Sequence, residues 1–146
     1  MHSIRNLFTI FFILLLNANV LMGNYAFKKK VKEVCKSYRI KIESSQLNLG
    51  ESDVEINLES GRNNFEMYML VGFASAGQAI AHQIEMALSN SYTPKTISLN
   101  VVVPSSKDEY TTFSAQCSSE MAISLADGRM DSSEFMQEIM KNIKIQ

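Results

Sequence analysis

An apolar segment near the N-terminus decides how much of this chain is available to fold. Residues 7–16 form an apolar run of ten that follows Arg5 and is interrupted by asparagines immediately afterwards. Ten residues is the usual length of the hydrophobic part of a cleaved export signal, whereas a helix that spans a bilayer needs about 20 apolar residues. We therefore predict a signal peptide over residues 1–23 and a single small domain over residues 24–146, located in the periplasm or secreted.

The residues after the apolar run leave a second interpretation open. Candidate cleavage points lie after Ala18, Gly23 or Ala26, and lysines follow closely at positions 28, 29, 30 and 32. Positive charge just past an export signal resists translocation. The alternative is therefore an uncleaved anchor that tethers the domain to a membrane, with the lysine-rich side favouring the cytoplasm.

The composition is that of one globular domain. The chain has 146 residues, of which 46% are hydrophobic and 20% are charged, and this balance argues against two large domains and against a disordered chain. The formal net charge is -1, from 14 basic and 15 acidic side chains. Such a charge gives no field that would gather nucleic acid over the whole surface, so we expect no nucleic-acid partner.

The period of the apolar residues changes several times along the chain. Spacings of three and four, as from Phe27 to Val31 and Val34, predict helices, and strict alternation, as from Ile97 to Val103, predicts strands. The predicted elements are a helix that ends near Ser37, strands over 38–43 and 54–59, a helix over 65–88, a hairpin of strands over 97–103 and 110–117, and two short C-terminal helices.

This order, α-β-β-α-β-β-α-α, predicts an α+β fold with a mostly antiparallel four-stranded sheet and helices packed on one face. The helix over 65–88 contains many small residues, including Gly72 and Gly77. Small residues cost helix propensity but let a neighbouring element approach closely, so we expect this helix to pack tightly on the sheet. A strand over 65–71 is the alternative for its first part.

The two cysteines are predicted to point towards the core. Cys35 borders the apolar stripe of the first helix, and Cys117 shares a strand face with Phe113 and Ala115. In an oxidising compartment the two cysteines could form a disulfide, which would stabilise the fold by roughly 4 to 5 kcal/mol at most. In a reducing compartment they would be two small buried apolar side chains.

The sequence offers few residues for catalysis or for metal binding. His2 is expected to leave with the leader, so His82 is the only imidazole of the domain. One imidazole excludes the two-histidine metal motifs, and we predict neither a metal nor a cofactor. The remaining catalytic hypothesis is a hydrolase that pairs His82 with Cys35 or Cys117 as the nucleophile.

One short string resembles part of a calcium-binding loop. Residues 127–135 match the second half of an EF-hand loop, with Gly128 at the sharp turn and Glu134 at the bidentate position. Apolar residues stand where the first two carboxylates should be, so too few oxygen ligands remain. We therefore predict a turn between two helices, in which Gly128 is left-handed and Asp131 or Ser132 caps the second helix.

Charge is unevenly distributed along the chain. Residues 28–41 hold seven basic groups and only Glu33, and a basic amphipathic helix can lie on an anionic headgroup surface. The candidate basic patch consists of Lys28, Lys29, Lys30 and Lys32. We predict a non-catalytic binding protein whose partner is another protein or an unidentified ligand. The alternative is a membrane-anchored interaction protein with this helix at the bilayer surface.

Overall fold

The computed structural model describes residues 22–87 and 90–146. This part of the chain forms four α-helices and five strands. They are α1 (residues 22–37), a 3-10 turn (Ser44–Gln46), β1 (Leu47–Leu49), β2 (Asp53–Glu59), α2 (Phe65–Met86), β3 (Thr96–Ser106), β4 (Glu109–Ser118), α3 (Ser119–Ala126), α4 (Ser132–Met140) and β5 (Lys144–Ile145).

The five strands form one mixed sheet in the order β1-β2-β3-β4-β5. Strands β2 and β3 are parallel, and the other three neighbouring pairs are antiparallel. The parallel pair arises because α2 carries the chain from the end of β2 back to the level where β2 began. The α+β class is confirmed, whereas the prediction of a mostly antiparallel four-stranded sheet missed β1, β5 and the parallel pair.

The strand predicted over 38–43 is wrong. Helix α1 ends when Arg39 adopts a left-handed backbone with φ 59°, and the N–H of Ile40 donates to the carbonyl oxygen of Cys35 at 2.9 Å. Ile40 and Ile42 are buried although their segment pairs with no strand in the described structure. An extended segment that lies along the core produces the same alternation as a paired strand, which explains the error.

The core lies on one face of the sheet. Buried and half-exposed residues alternate along β2 and β3, and the buried ones belong to a single cluster with apolar residues of all four helices. Phe73 of α2 and Phe135 of α4 meet there with ring centroids 5.4 Å apart. This agrees with the prediction that the helices pack on one face of the sheet.

Helix α2 uses its small residues to pack closely on three neighbours. Gly72 faces Leu99 in the sheet, Gly77 lies against the backbone of α3 at Ala122, and Ser75 hydrogen-bonds with the thiol of Cys35 in α1. The predicted close approach is confirmed, and it involves α1 and α3 as well as the sheet. The alternative strand over 65–71 is wrong, since helix α2 begins at Phe65.

The turn between α3 and α4 has the predicted geometry. Gly128 is left-handed with φ 82°, and a carboxylate oxygen of Asp131 accepts a hydrogen bond from the N–H of Ser133 at 3.2 Å. Asp127 forms an ion pair with Arg129 at 2.8 Å. Asp131 therefore caps α4 and Asp127 stabilises the turn, as predicted for a turn between two helices.

Candidate functional site

The most distinctive surface feature is a groove between α1 and the segment that follows it. Its volume is about 700 Å³, and we call it the basic groove because six of its twelve lining residues are basic and two are acidic. The basic residues are Lys28, Lys29, Lys32, Lys36, Arg39 and Lys41; the others are Tyr25, Glu33, Ile40, Ile42, Glu43 and Ser44.

The amphipathic pattern of α1 explains one wall of the basic groove. Its inner face is buried through Phe27, Val31 and Val34, so the lysines at positions 28, 29 and 32 are turned towards the groove and the solvent. The segment after the helix is held close by two hydrogen bonds. The Nζ of Lys28 donates to the carbonyl oxygen of Ser44 at 3.4 Å. The Nζ of Lys32 donates to the Oγ of the same residue at 3.3 Å.

Apolar groups form part of the groove surface. Ile40 and Ile42 are buried beneath it, whereas Tyr25 is 69% exposed at its rim. An apolar surface with a few convergent polar groups is the usual composition of a ligand site. Here the polar groups are cationic, so the arrangement suits an anionic ligand that also has an apolar part.

A second cavity of about 800 Å³ continues the basic groove along β1. Tyr25, Lys28 and Ser44 line both cavities. The far wall of the second cavity carries Asp53 and Glu55, and it has no lysine besides Lys28. The charge along this side of the molecule is therefore graded from basic to acidic, and an anion is favoured only at the α1 end.

The structure separates the four lysines of the predicted patch. Lys28, Lys29 and Lys32 line the basic groove, but Lys30 lines a smaller cavity of about 220 Å³ together with His82. Lys36, Arg39 and Lys41 also line the basic groove, although the predicted patch did not include them. The spacing of Lys36 from Lys29 and Lys32 on a helix was available as a signal, whereas Arg39 and Lys41 join the site only because the chain turns back after α1.

The left-handed backbone of Arg39 suggests that its position in the groove is maintained at a cost. A residue with a Cβ is strained in this conformation by about 1 kcal/mol, and glycine is not. We expect Arg39→Gly to raise the free energy of unfolding by about 0.5 to 1 kcal/mol, while it weakens anion binding in the groove. Urea unfolding and a binding titration on the same variant measure the two effects. A variant that is less stable than the wild type would contradict this explanation.

The two cysteines do not form a bridge in the structure, where both are free and buried. The thiol of Cys35 contacts Ser75, and that of Cys117 contacts the backbone of Ala122, so each is held by a different neighbour. Burial raises the pKa of Cys35 above its ordinary value and raises the pKa of Cys117 to about 12. Because the thiolate is the reactive form, both thiols are poorly suited to nucleophilic attack.

The side chains of the hydrolase hypothesis are not brought together. His82 is exposed on α2 and lines the small cavity with Lys30, Glu85 and Asp127, and neither cysteine lines that cavity. Within residues 22–87 and 90–146, no group of three or more histidine, cysteine or carboxylate side chains is placed to hold a metal ion.

The raised thiol pKa values predict a loss of stability in alkaline solution. The unfolded chain ionises its thiols near their ordinary pKa of about 9, whereas the folded chain retains the Cys117 proton until about pH 12. The contribution of Cys117 to the free energy of unfolding should therefore be constant below about pH 8 and fall between about pH 9 and 12. Urea unfolding should show that the free energy of unfolding of Cys117→Ala falls less steeply with pH than that of the wild type. The difference in slope should be up to about 1.4 kcal/mol per pH unit. Equal slopes would contradict the burial argument.

The face of the sheet opposite the core carries a hydrogen-bonded row of polar side chains that the sequence analysis did not predict. Glu55 Oε1 accepts from the amides of Asn48 and Asn57 at 3.3 and 3.0 Å. Asn57 Oδ1 accepts from Asn100 at 2.9 Å, and Ser114 Oγ donates to Asn100 Oδ1 at 2.7 Å. These groups bond to one another across β1 to β4, so we assign the row to cross-strand stabilisation.

The chain matches no protein family model, no curated protein and no solved structure. In the part of the chain that the structure describes, every helix is too short or too polar to cross a membrane.

Proposed function

We propose that the protein is a small exported protein, periplasmic or secreted, whose single domain binds an anionic ligand in the basic groove and does not catalyse a reaction. The observation that carries this proposal is the convergence of six of the seven basic residues of positions 28–41 on one groove. The formal net charge of the chain is -1, so the excess of positive charge in the groove is a property of this surface and not of the whole molecule.

The groove charges are positioned to act together. Lys29 and Lys36 are exposed on α1, and Arg39 and Lys41 of the following segment line the same groove. At physiological ionic strength the screening length is about 8 Å, so cations that line one groove act on a bound anion more strongly than cations elsewhere on the surface. Because these lysines are exposed, salt should screen their attraction for the anion and weaken binding.

The packing of α1 supports one of the three candidate cleavage points. Gly23 is buried, and its carbonyl oxygen accepts a hydrogen bond from the nearly buried Gln83 side chain at 3.2 Å. Cleavage after Gly23 or Ala26 would remove this contact or the first turn of α1. We therefore propose that the leader is removed after Ala18, which shortens it from the predicted residues 1–23 to residues 1–18. The intact mass of the exported protein should then be lower than that of the full chain by about 2 kDa. An unchanged mass would favour the anchored alternative.

The direct test of the proposed function is a calorimetric titration of the protein with inositol hexakisphosphate, a compact and highly charged soluble anion. We expect binding at low ionic strength that weakens steadily as sodium chloride is added, because the groove lysines are exposed and screened by salt. An absence of binding at low ionic strength, or an affinity that does not depend on salt, would overturn the proposal.

A further inference from the structure

Four of the nine large apolar residues that are exposed in the described part of the chain lie at the start of α1 and the end of α2, beside the basic groove. We call Met22, Tyr25, Ile84 and Met86 the apolar tip. Their side chains are 67%, 69%, 57% and 53% exposed. They share one end of the molecule because the hydrogen bond from Gln83 to Gly23 joins the beginning of α1 to the end of α2.

The apolar tip and the basic groove are two parts of one surface. Along α1 the residues Met22, Tyr25, Lys29, Lys32 and Lys36 follow one another at spacings of three and four, which places them on one side of the helix. This side is apolar at its N-terminal end and cationic over the following turns. A binding partner that covers it must offer apolar contact at the tip and negative charge next to it.

An anionic bilayer offers both in the right order. Peripheral helices bind such a surface by burying an apolar face at the boundary between headgroups and acyl chains while their lysines contact the headgroup phosphates. Tyrosine is enriched at this depth because its ring is apolar and its hydroxyl group is polar. A compact soluble anion would fill the basic groove but leave the four apolar side chains in water.

The chain that precedes the described residues joins the molecule at this same tip. If the leader is retained, residues 17–21 separate the apolar run from Met22 and span at most about 18 Å. If the leader is cleaved after Ala18, the new terminal amine lies three residues before Met22 and adds a positive charge there at neutral pH. A retained leader would hold the tip close to the bilayer, and a cleaved leader would add one positive charge near the tip.

We propose that the apolar tip inserts into the headgroup layer of an anionic bilayer, so that the basic groove binds lipid headgroup phosphates. This inference rests on the proposed anion binding and names the source of the anion. It also assigns a role to the exposed apolar residues Ile84 and Met86, which binding of a soluble anion leaves unexplained.

The first test compares two double variants that remove equivalent apolar side chains. Ile84→Ser/Met86→Ser changes the tip, and Met140→Ser/Ile145→Ser changes two residues that are 44% and 61% exposed on α4 and β5. In cosedimentation with vesicles of phosphatidylcholine and phosphatidylglycerol, we expect the tip variant to bind about tenfold more weakly than the wild type, and the control variant to bind as the wild type does. Equal binding by both variants would overturn the inference.

A second test locates the bilayer directly. The chain has no tryptophan, so a single introduced indole reports on one site. Tyr25→Trp should show a blue-shifted emission on these vesicles, and brominated lipids should quench it. Tyr110→Trp, at a position that is 70% exposed in the hairpin between β3 and β4, should show neither effect. Quenching at Tyr110→Trp alone, or at neither position, would contradict insertion of the tip.

These results can be separated from a failure of the proposed function. Both serine variants should retain the affinity of the wild type for inositol hexakisphosphate, since neither changes a residue that lines the groove. If this soluble anion binds but the tip variants behave as their controls on vesicles, only the membrane inference is wrong. If the soluble anion does not bind at all, the proposed function is wrong.

Discussion

The Gly77→Ala variant is expected to be about 3 kcal/mol less stable than the wild type, although alanine is the better helix former. A Cβ at position 77 would overlap the carbonyl oxygen and carbon of Ala122 in α3. Backbone atoms cannot turn away as a flexible side chain can, so α2 and α3 would have to separate. In the middle of a helix alanine is favoured over glycine by about 1 kcal/mol, and this gain is smaller than the cost of the overlap.

Two matched variants test whether the contact with α3 is the cause. Gly72→Ala would place its Cβ 2.7 Å from Cδ2 of Leu99. Because this atom is the end of a side chain that can shift, we expect a smaller loss of stability than for Gly77→Ala. At Gly61, which lies outside the helices and strands, an added Cβ meets nothing within 4 Å, and Gly61→Ala should change the stability by less than about 0.5 kcal/mol. Urea unfolding of the three variants gives the comparison. A neutral or stabilising Gly77→Ala would show that α3 does not pack on α2 as described.

Reversal of two groove charges should nearly abolish anion binding. Lys29→Glu/Lys36→Glu replaces two exposed lysines of the basic groove. A lysine close to an anionic surface contributes about 1 kcal/mol to the binding free energy. Its replacement by an acidic residue removes this contribution and adds a repulsion of about the same size. The double variant should therefore lose about 4 kcal/mol, which is about a thousandfold in affinity for inositol hexakisphosphate at low ionic strength.

The control for this variant makes the same change in net charge elsewhere. Lys30 lies on the same helix but lines the small cavity with His82, and Lys107 is exposed in the turn between β3 and β4. When both double variants are titrated at physiological ionic strength, where the screening length is about 8 Å, Lys30→Glu/Lys107→Glu should weaken binding by less than about tenfold, because charges outside the groove are then largely screened. If both double variants lose affinity equally, the anion responds to net charge and the groove has no special role.

Elements that are fixed by interactions within a few residues could be predicted from the sequence, and elements that are fixed by distant contacts could not. Local signals were sufficient at the C-terminal turn, where Gly128 and Asp131 act within a few residues of their own positions. They were also sufficient for the hairpin of β3 and β4, whose alternation matches its pairing. They failed at Ile40 and Ile42, because burial without a partner strand gives the same alternating pattern.

The pairing of the sheet and the shape of the site depend on contacts between distant segments. Nothing local in β2 or β3 indicates that α2 returns the chain to make them parallel. Likewise, the lysines of α1 were recognised as a cluster, but Arg39 and Lys41 meet them only after the left-handed turn at Arg39. The separation of Lys30 from the other three lysines follows from its place around the helix, which helical spacing could have indicated.

The most direct test of anion binding in the basic groove is a map of amide chemical shifts recorded while inositol hexakisphosphate is added. We expect the largest shifts in residues 28–44, with saturation at the affinity found by calorimetry. The amides around His82 and Asp127, which line the small cavity on the other side of α1, should not change. Shifts centred on that small cavity, or spread evenly over the surface, would contradict binding in the groove.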